Sequence, residues 1–145
     1  MDRLAPEGPV YQAGTLSGNP LAVQAGLATL GALRNPGAYK KLDALGERLE
    51  KGIAEEASSR SLPVQINRQG SMLTVFFNDG EVFDHASASS SDTGRFASFH
   101  QSMLESGVFL PPSQFECWFV GLAHGEGEIE LTCQAAGNAL ERMLS

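Results

Sequence analysis

The sequence predicts an α+β domain in which helices cover a small, largely antiparallel sheet. Its periodic segments run as two helices, two strands, a helix, two more strands and a last helix, without the regular alternation of a doubly wound sheet. With 145 residues and 42% apolar content, the chain is sized for one main core. Stretches rich in Gly, Pro and Asn separate these segments and mark their limits.

The chain opens with a loop that leads into the first helix. Residues 2–18 are rich in Gly and Pro, which predicts an extended loop. Asn19 suits the N-cap and Pro20 the first helical position, where a missing N–H costs nothing. The run 35–37, Asn-Pro-Gly, predicts a break. Between them, apolar residues recur at helical spacing: Val23, Leu27 and Leu30.

A second helix is predicted over residues 38–58, with one apolar face and one charged face. The period then changes to that of strands around Val64 and Ile66 and again over 72–77, with a turn at 78–80. The Ser-rich stretch 81–91 is expected to be irregular. The predicted apolar face of the helix consists of Leu42, Leu45, Leu49 and Ile53.

The last third of the chain predicts a helix, two strands and a final helix. Asp92 or Ser91 can cap the third helix, and Gly107 can end it in a left-handed conformation. Strands are predicted at 108–110 and 118–122. Acidic residues favour the positive end of the final helix. The apolar faces are Phe96, Phe99 and Met103, then Ile129, Cys133, Ala136, Leu140 and Leu144, and the acidic residues are Glu126 and Glu128.

Charge and composition exclude several classes of function. A formal charge of -7 has the wrong sign for neutralising nucleic-acid phosphates or anionic lipid. No apolar run approaches the roughly 20 residues needed to cross a bilayer, and the start does not have the pattern of a signal peptide. We therefore expect a cytoplasmic protein without nucleic-acid or membrane partners. Cys117 and Cys133 are expected to be reduced packing residues.

The three histidines, His85, His100 and His124, show no spacing that would gather them on a metal ion. We expect each of them to have a structural or solvent-facing role.

The run Gly14-Thr15-Leu16-Ser17-Gly18-Asn19-Pro20 offers a hydroxyl, flexible glycine amides and an adjacent helix start. Proteins hold phosphate groups with these ingredients. On composition alone, the run can equally be a loop whose Thr and Ser satisfy local backbone groups.

The wider run, residues 10–22, resembles a segment of the glutamate-1-semialdehyde 2,1-aminomutase family, relatives of the class III aminotransferases. Its sequence is Val-Tyr-Gln-Ala-Gly-Thr-Leu-Ser-Gly-Asn-Pro-Leu-Ala, and Tyr11-Gln12-Ala13 is similar to the aminomutase version of it. The resemblance continues through Arg68–Met72, Phe76-Phe77, Gly107–Leu110, Pro112–Glu116 and Ala123-His124. It covers essentially the whole chain.

The resemblance implies pyridoxal 5'-phosphate as cofactor and a homodimer. In the family, the Gly-Thr pair of this loop reaches the cofactor phosphate of the neighbouring subunit, which gives Gly14 and Thr15 that role. It also implies the fold of the C-terminal small domain of fold-type I enzymes. Residues 1–35 would end the large cofactor domain, and residues 36–145 would form the small domain with its linking helix.

Glu116 matches a glutamate that the family places beside its substrate. A carboxylate in a cleft attracts substrate ammonium groups and repels carboxylates. Without the resemblance, it reads as a surface glutamate after a Pro-Pro turn. The family usually has small residues next, whereas Cys117 and Trp118 follow here and add bulk. No arginine between Arg95 and Arg142 could grip a substrate carboxylate from this half.

The lysine that anchors this cofactor covalently has no candidate in the chain. Only Lys40, Lys41 and Lys51 are present, all on the polar face of the second predicted helix. In the family, that lysine lies upstream of the Gly-Thr loop. We therefore expect a C-terminal piece of an enzyme that is inactive alone and that self-associates or requires the missing N-terminal portion.

Three functions follow as hypotheses. The first is a portion of an aminomutase that converts glutamate 1-semialdehyde to 5-aminolevulinate for tetrapyrrole (porphyrin) synthesis. The second is a class III aminotransferase fragment acting on another substrate. The third is a non-catalytic dimerisation module that retains the fold without the cofactor.

Overall fold

The computed structural model describes residues 2–144, which divide into two compact units, one reaching Ala38 and the other starting at Tyr39. The elements within this range are α1 Pro20–Leu33, α2 Ala38–Ser59, β1 Gln65–Gln69, β2 Met72–Phe76, α3 His85–Ser89, α4 Thr93–Glu105, β3 Trp118–Phe119 and α5 Glu126–Arg142. None of the helices in residues 2–144 combines the length and apolar character needed to span a bilayer.

The first unit consists of a loop followed by α1. The Asn19 side chain accepts a hydrogen bond from the N–H of Ala22 at 3.2 Å, and Pro20 is the first helical residue, as the sequence predicts. No residue of α1 is buried, so its large apolar side chains Leu21, Val23, Leu27 and Leu30 are all exposed.

The second unit contains an antiparallel sheet with strand order β1-β2-β3. Gly70, at φ +60°, makes the turn between β1 and β2, because a left-handed backbone at that position favours glycine. The turn predicted at 78–80 is present after β2, where the Asn78 side chain accepts from the N–H of Gly80 at 2.9 Å.

The core lies between one face of the sheet and the helices α2, α4 and α5. Alternate residues Leu73, Val75 and Phe77 face it, as the two-residue period of a strand requires. Phe99 packs edge-to-face on Phe77 at 5.5 Å and stacks on Trp118 at 6.5 Å between ring centroids. The predicted helix faces supply the other main members: Leu45, Leu49, Ile53, Phe96, Met103, Ile129, Ala136 and Leu140. The predicted α+β fold with a small antiparallel sheet is confirmed.

Arg68 ties the β1–β2 hairpin to α2. Its guanidinium donates to the carboxylates of Glu50 at 2.6 Å and Asp43 at 2.7 Å, and to the carbonyl of Gly70 at 2.7 Å. Its side chain is mostly buried, which strengthens these charge-assisted bonds relative to exposed ones.

Three predicted segments differ from the structure, and Leu144, predicted on the apolar face of the final helix, lies beyond α5 and is exposed. The stretch 81–91 contains α3, which Asp84 and Ser87 cap reciprocally in the manner of a capping box. Residues 108–110 are not a strand, and the N–H of Val108 instead closes the end of α4 by bonding to the Met103 carbonyl at 2.9 Å. The strand predicted at 118–122 is limited to the two residues of β3.

Candidate functional site

A cleft of about 480 Å³ opens in the second unit and is lined in part by Glu116. Its walls come from the segment 108–112, from residues 116–120 around β3, and from the first turns of α5, with Leu49 contributed by α2. Most of the lining is apolar. The lining residues with polar side-chain atoms are Glu116, Cys117, Trp118, His124, Glu128 and Thr132.

Glu116 is held through its backbone, which leaves its carboxylate free. Its N–H donates to the Ser113 carbonyl at 3.1 Å, and its carbonyl accepts from the Thr74 hydroxyl at 3.5 Å. The side chain is exposed, and no Lys or Arg within residues 2–144 forms an ion pair with it. The carboxylate is therefore available to attract a cation.

Gln114 anchors the segment that carries Glu116. It is 2% exposed, and its side-chain carbonyl accepts a hydrogen bond from the backbone N–H of Phe77 at 2.8 Å. A buried bond of this kind would leave an unsatisfied N–H if it were lost, so it fixes the segment against the end of β2.

Trp118 contributes to the cleft wall, but most of its indole is buried in the core. The side chain is 5% exposed and stacks on Phe99. The Cys117 thiol lies 3.5 Å from the Trp118 carbonyl. Most of the bulky Trp118 side chain that follows Glu116 in the sequence therefore packs in the core against α4.

His124 lines the same cleft, although the sequence indicated only a structural or solvent-facing role for it. Its ring Nδ1 accepts a hydrogen bond from the N–H of Gly121 at 2.9 Å. Its backbone N–H donates to the Gly121 carbonyl at 3.1 Å, which closes a tight turn. The glycines at 121 and 125 were the sequence signal for this turn.

Glu128 caps the N-terminus of α5. Its carboxylate accepts from the N–H of Gly125 at 2.8 Å, and this bond lowers the pKa of Glu128. The carboxylate is thus engaged in capping the helix, unlike that of Glu116.

The candidate phosphate loop lies in the first unit and consists of two successive turns. The N–H of Ser17 donates to the Gly14 carbonyl at 2.9 Å, and the N–H of Asn19 donates to the Leu16 carbonyl at 3.0 Å. A Cβ at Gly14 would lie 2.6 Å from the Ser17 hydroxyl, so the turn is close at this position. The amide and hydroxyl of Thr15 have no partner within residues 2–144. These donors have the chemistry that binds a phosphate.

The lysines all lie on α2 and are exposed. Lys51 pairs with Glu47 one turn earlier, and Lys41 donates to the carbonyl of Leu122 at 3.1 Å. None of them lines the cleft that contains Glu116.

Among residues 2–144, no three His, Cys, Asp or Glu side chains are grouped so as to hold a metal ion. Cys117 and Cys133 are both free thiols, and burial raises the pKa of Cys133.

Comparison with known proteins decides the family. No family model matches the chain. A glutamate-1-semialdehyde 2,1-aminomutase of Pelotomaculum thermopropionicum is 55% identical over 141 residues, which is 97% of this chain. The chain belongs to the glutamate-1-semialdehyde 2,1-aminomutase family. It spans about a third of the length of the curated relatives it matches, with 32% of this relative covered.

Solved structures place the aminomutase-family chain in the same fold. An omega-transaminase from Sphaerobacter thermophilus superimposes with a TM-score of 0.78 at 22% identity, over 97% of this chain and 33% of that chain. A glutamate-1-semialdehyde aminomutase from Pseudomonas aeruginosa superimposes with a TM-score of 0.77 at 23% identity, over 95% of this chain and 31% of that chain. At such identities the likeness establishes the fold.

Proposed function

We propose that this chain supplies the C-terminal portion of a pyridoxal-phosphate-dependent aminomutase that converts glutamate 1-semialdehyde to 5-aminolevulinate for tetrapyrrole synthesis. The observation that carries the proposal is the free carboxylate of Glu116 in a cleft without a lining Lys or Arg. That electrostatic environment favours an amine-bearing reactant over a second carboxylate. The family relationship over nearly the whole chain supports the same activity.

In this proposal, Glu116 acts on the substrate side and binds its ammonium group. The buried bond of Gln114 to Phe77 positions the segment, and the apolar walls around Phe109 and Phe119 exclude water from the bound substrate. Pyridoxal phosphate, when bound, supplies an electron sink at the amine-bearing carbon.

Gly14 and Thr15 are proposed to hold the cofactor phosphate of the neighbouring subunit. The free amide and hydroxyl of Thr15 and the close turn at Gly14 support this assignment. The complete enzyme would then be a homodimer, since each phosphate needs a loop from the partner. We place this enzyme in the cytoplasm.

The domain assignment is part of the same proposal: residues 1–35 end the large cofactor domain and residues 36–145 form the small domain with its linking helix. The division into compact units at Ala38 supports it. No charged residue lies between Glu7 and Arg34, and a helix that is apolar all round normally lies buried in a larger protein. Without the rest of a larger protein to cover it, the exposed apolar surface of α1 favours self-association of the chain.

The test joins this chain to the remaining two thirds of the Pelotomaculum thermopropionicum relative and measures 5-aminolevulinate formation. Glu116→Gln should lower kcat/KM by about 10- to 100-fold, the range for losing a hydrogen bond to a charged group. Glu55→Gln, an equal charge change on the exposed surface of α2, is the matched control and should leave kcat/KM unchanged.

A folded, cofactor-loaded protein that only exchanges amino groups between substrates would contradict the aminomutase assignment and favour a class III aminotransferase. A protein that folds and dimerises without binding the cofactor would instead favour a non-catalytic dimerisation module.

A further inference from the structure

Among the side chains of residues 2–144 that line the cleft of Glu116, one N–H is both unpaired and exposed, and it belongs to His124. The Thr132 hydroxyl donates to a carbonyl of its own helix at 2.7 Å. The Cys117 thiol is directed to the Trp118 carbonyl at 3.5 Å. The Trp118 indole N–H also has no partner within residues 2–144, but it is buried and shielded from solvent.

The turn before α5 determines which ring nitrogen of His124 carries the proton. Because Nδ1 accepts the N–H of Gly121 at 2.9 Å, the proton of the neutral ring is on Nε2. The second bond between the same two residues, from the His124 N–H to the Gly121 carbonyl at 3.1 Å, limits movement of the turn. The ring is therefore held in one orientation before any ligand binds.

The Nε2–H itself has no partner within the part of the chain that the structure describes, and the side chain is exposed. Since neither Lys nor Arg lines the cleft, no stronger donor competes for an acceptor oxygen there. The cleft thus offers one free anionic acceptor, Glu116, and one oriented neutral donor, His124.

We propose that His124 is a specificity-determining residue, whose Nε2–H binds a carbonyl or carboxylate oxygen of the ligand whose ammonium group binds Glu116. The ligand class is an amino-carbonyl compound, which carries both groups a few bonds apart. This inference deepens the proposed function and rests on it for the identity of the reaction.

A neutral donor suits this role. A Lys or Arg at the same place would pair with Glu116 and cancel its attraction for an ammonium group. A site that hydrogen-bonds a ligand oxygen also rejects analogues lacking it, because the donor would be left unpaired once the ligand covers it.

Two substitutions distinguish the contribution of the His124 Nε2–H to ligand binding from the contribution of its Nδ1 to the stability of the turn. His124→Asn keeps an acceptor near the Nδ1 position for the N–H of Gly121 but has no donor at the Nε2 position. His124→Gln keeps a distal N–H and loses the acceptor near the backbone. Both are made in the protein completed with the remaining two thirds of the Pelotomaculum thermopropionicum relative. Calorimetry measures the affinity for 5-aminolevulinate, and thermal unfolding measures stability.

We expect His124→Asn to weaken 5-aminolevulinate binding about tenfold with little change in the unfolding temperature. His124→Gln should bind within about threefold of the parent and unfold at a lower temperature, because the bond to Gly121 is lost. The parent's own affinity should fall when Glu116→Gln is introduced and stay unchanged with Glu55→Gln.

An Asn variant that binds as tightly as the parent, or a parent that does not bind 5-aminolevulinate at all, overturns the role of His124. Binding that depends on His124 in a protein without turnover would leave this inference standing and refute the proposed function. Turnover by the parent, together with a His124→Asn variant that binds 5-aminolevulinate as tightly as the parent, would support the proposed function and refute the role of His124.

Discussion

Two glutamates line the same cleft and differ in what their carboxylates contact. Glu128 caps α5 through the N–H of Gly125 at 2.8 Å, whereas Glu116 has its carboxylate free. The family resemblance singled out Glu116, whereas nothing in the amino-acid pattern indicated that His124 lines the same cleft. The difference between the glutamates arises from the local turn, since Gly125 presents its N–H to the residue three positions later.

Glu128→Gln should destabilise the chain in a pH-dependent way. The cap lowers the pKa of Glu128 from its ordinary value of 4.5, so its stabilising effect is fully present above that pH. It is lost as the pH falls through the lower pKa of the folded state. Thermal unfolding should therefore show a gap between parent and variant at pH 7 that closes toward pH 3.

The control for this measurement is Glu55→Gln on the exposed surface of α2, which makes no cap. A gap between parent and Glu128→Gln that persists unchanged at pH 3 would show that the charge of Glu128 does not stabilise α5.

At the scale of elements, α2 and the β1–β2 hairpin touch at a point where only a glycine fits. A Cβ at Gly46 would overlap the backbone carbonyl of Gly70. Backbone atoms cannot move aside as a flexible side chain can, so the two elements would have to separate. Arg68, bonded to both Asp43 and Gly70, holds them together at this point.

Gly46→Ala should lower the free energy of unfolding by about 1–3 kcal/mol, the usual cost of overpacking. Gly127→Ala is the matched control, because Gly127 lies in α5 with nothing within 4 Å of the added Cβ. That change should stabilise by roughly 0.4–1 kcal/mol through reduced freedom of the unfolded chain. Urea unfolding followed by circular dichroism measures both. Equal effects of the two substitutions would refute the close contact.

At the scale of the whole molecule, the chain is a third of the length of its relatives and carries its candidate site residues in two separate units. Gly14 and Thr15 lie in the first unit and Glu116 in the second. The exposed lysines of α2 lie outside the cleft of Glu116. On the proposed function, catalysis requires groups that the remaining two thirds of the relatives' length would supply.

The isolated chain should therefore not turn over glutamate 1-semialdehyde. Pyridoxal phosphate followed by borohydride should leave no stoichiometric adduct on Lys40, Lys41 or Lys51, because exposed amines bind the aldehyde weakly and without selection. Peptide mass spectrometry measures the adducts. A complete adduct at one lysine, together with turnover, would overturn the fragment interpretation.

The sequence by itself determined the four long helices α1, α2, α4 and α5, most of the core and the family. Periodicity located the buried faces of α2, α4 and α5, and Asn19 and Asp92 cap the helices at which they were predicted. Such signals are local, because they arise within one turn or one strand. The predictions for residues 81–91 and 108–110 were wrong because the structure of these segments depends on capping and on contacts with other elements.

Only the tertiary structure determined which residues line the same cleft. Glu116, which precedes β3 in the chain, and His124, which follows it, line the same cleft, and Trp118 packs into the core instead of filling that cleft. These placements depend on packing between segments far apart in the chain, such as Gln114 against Phe77 at 2.8 Å. A one-dimensional pattern carries no record of such contacts, because each residue's partner is set by the folded chain as a whole.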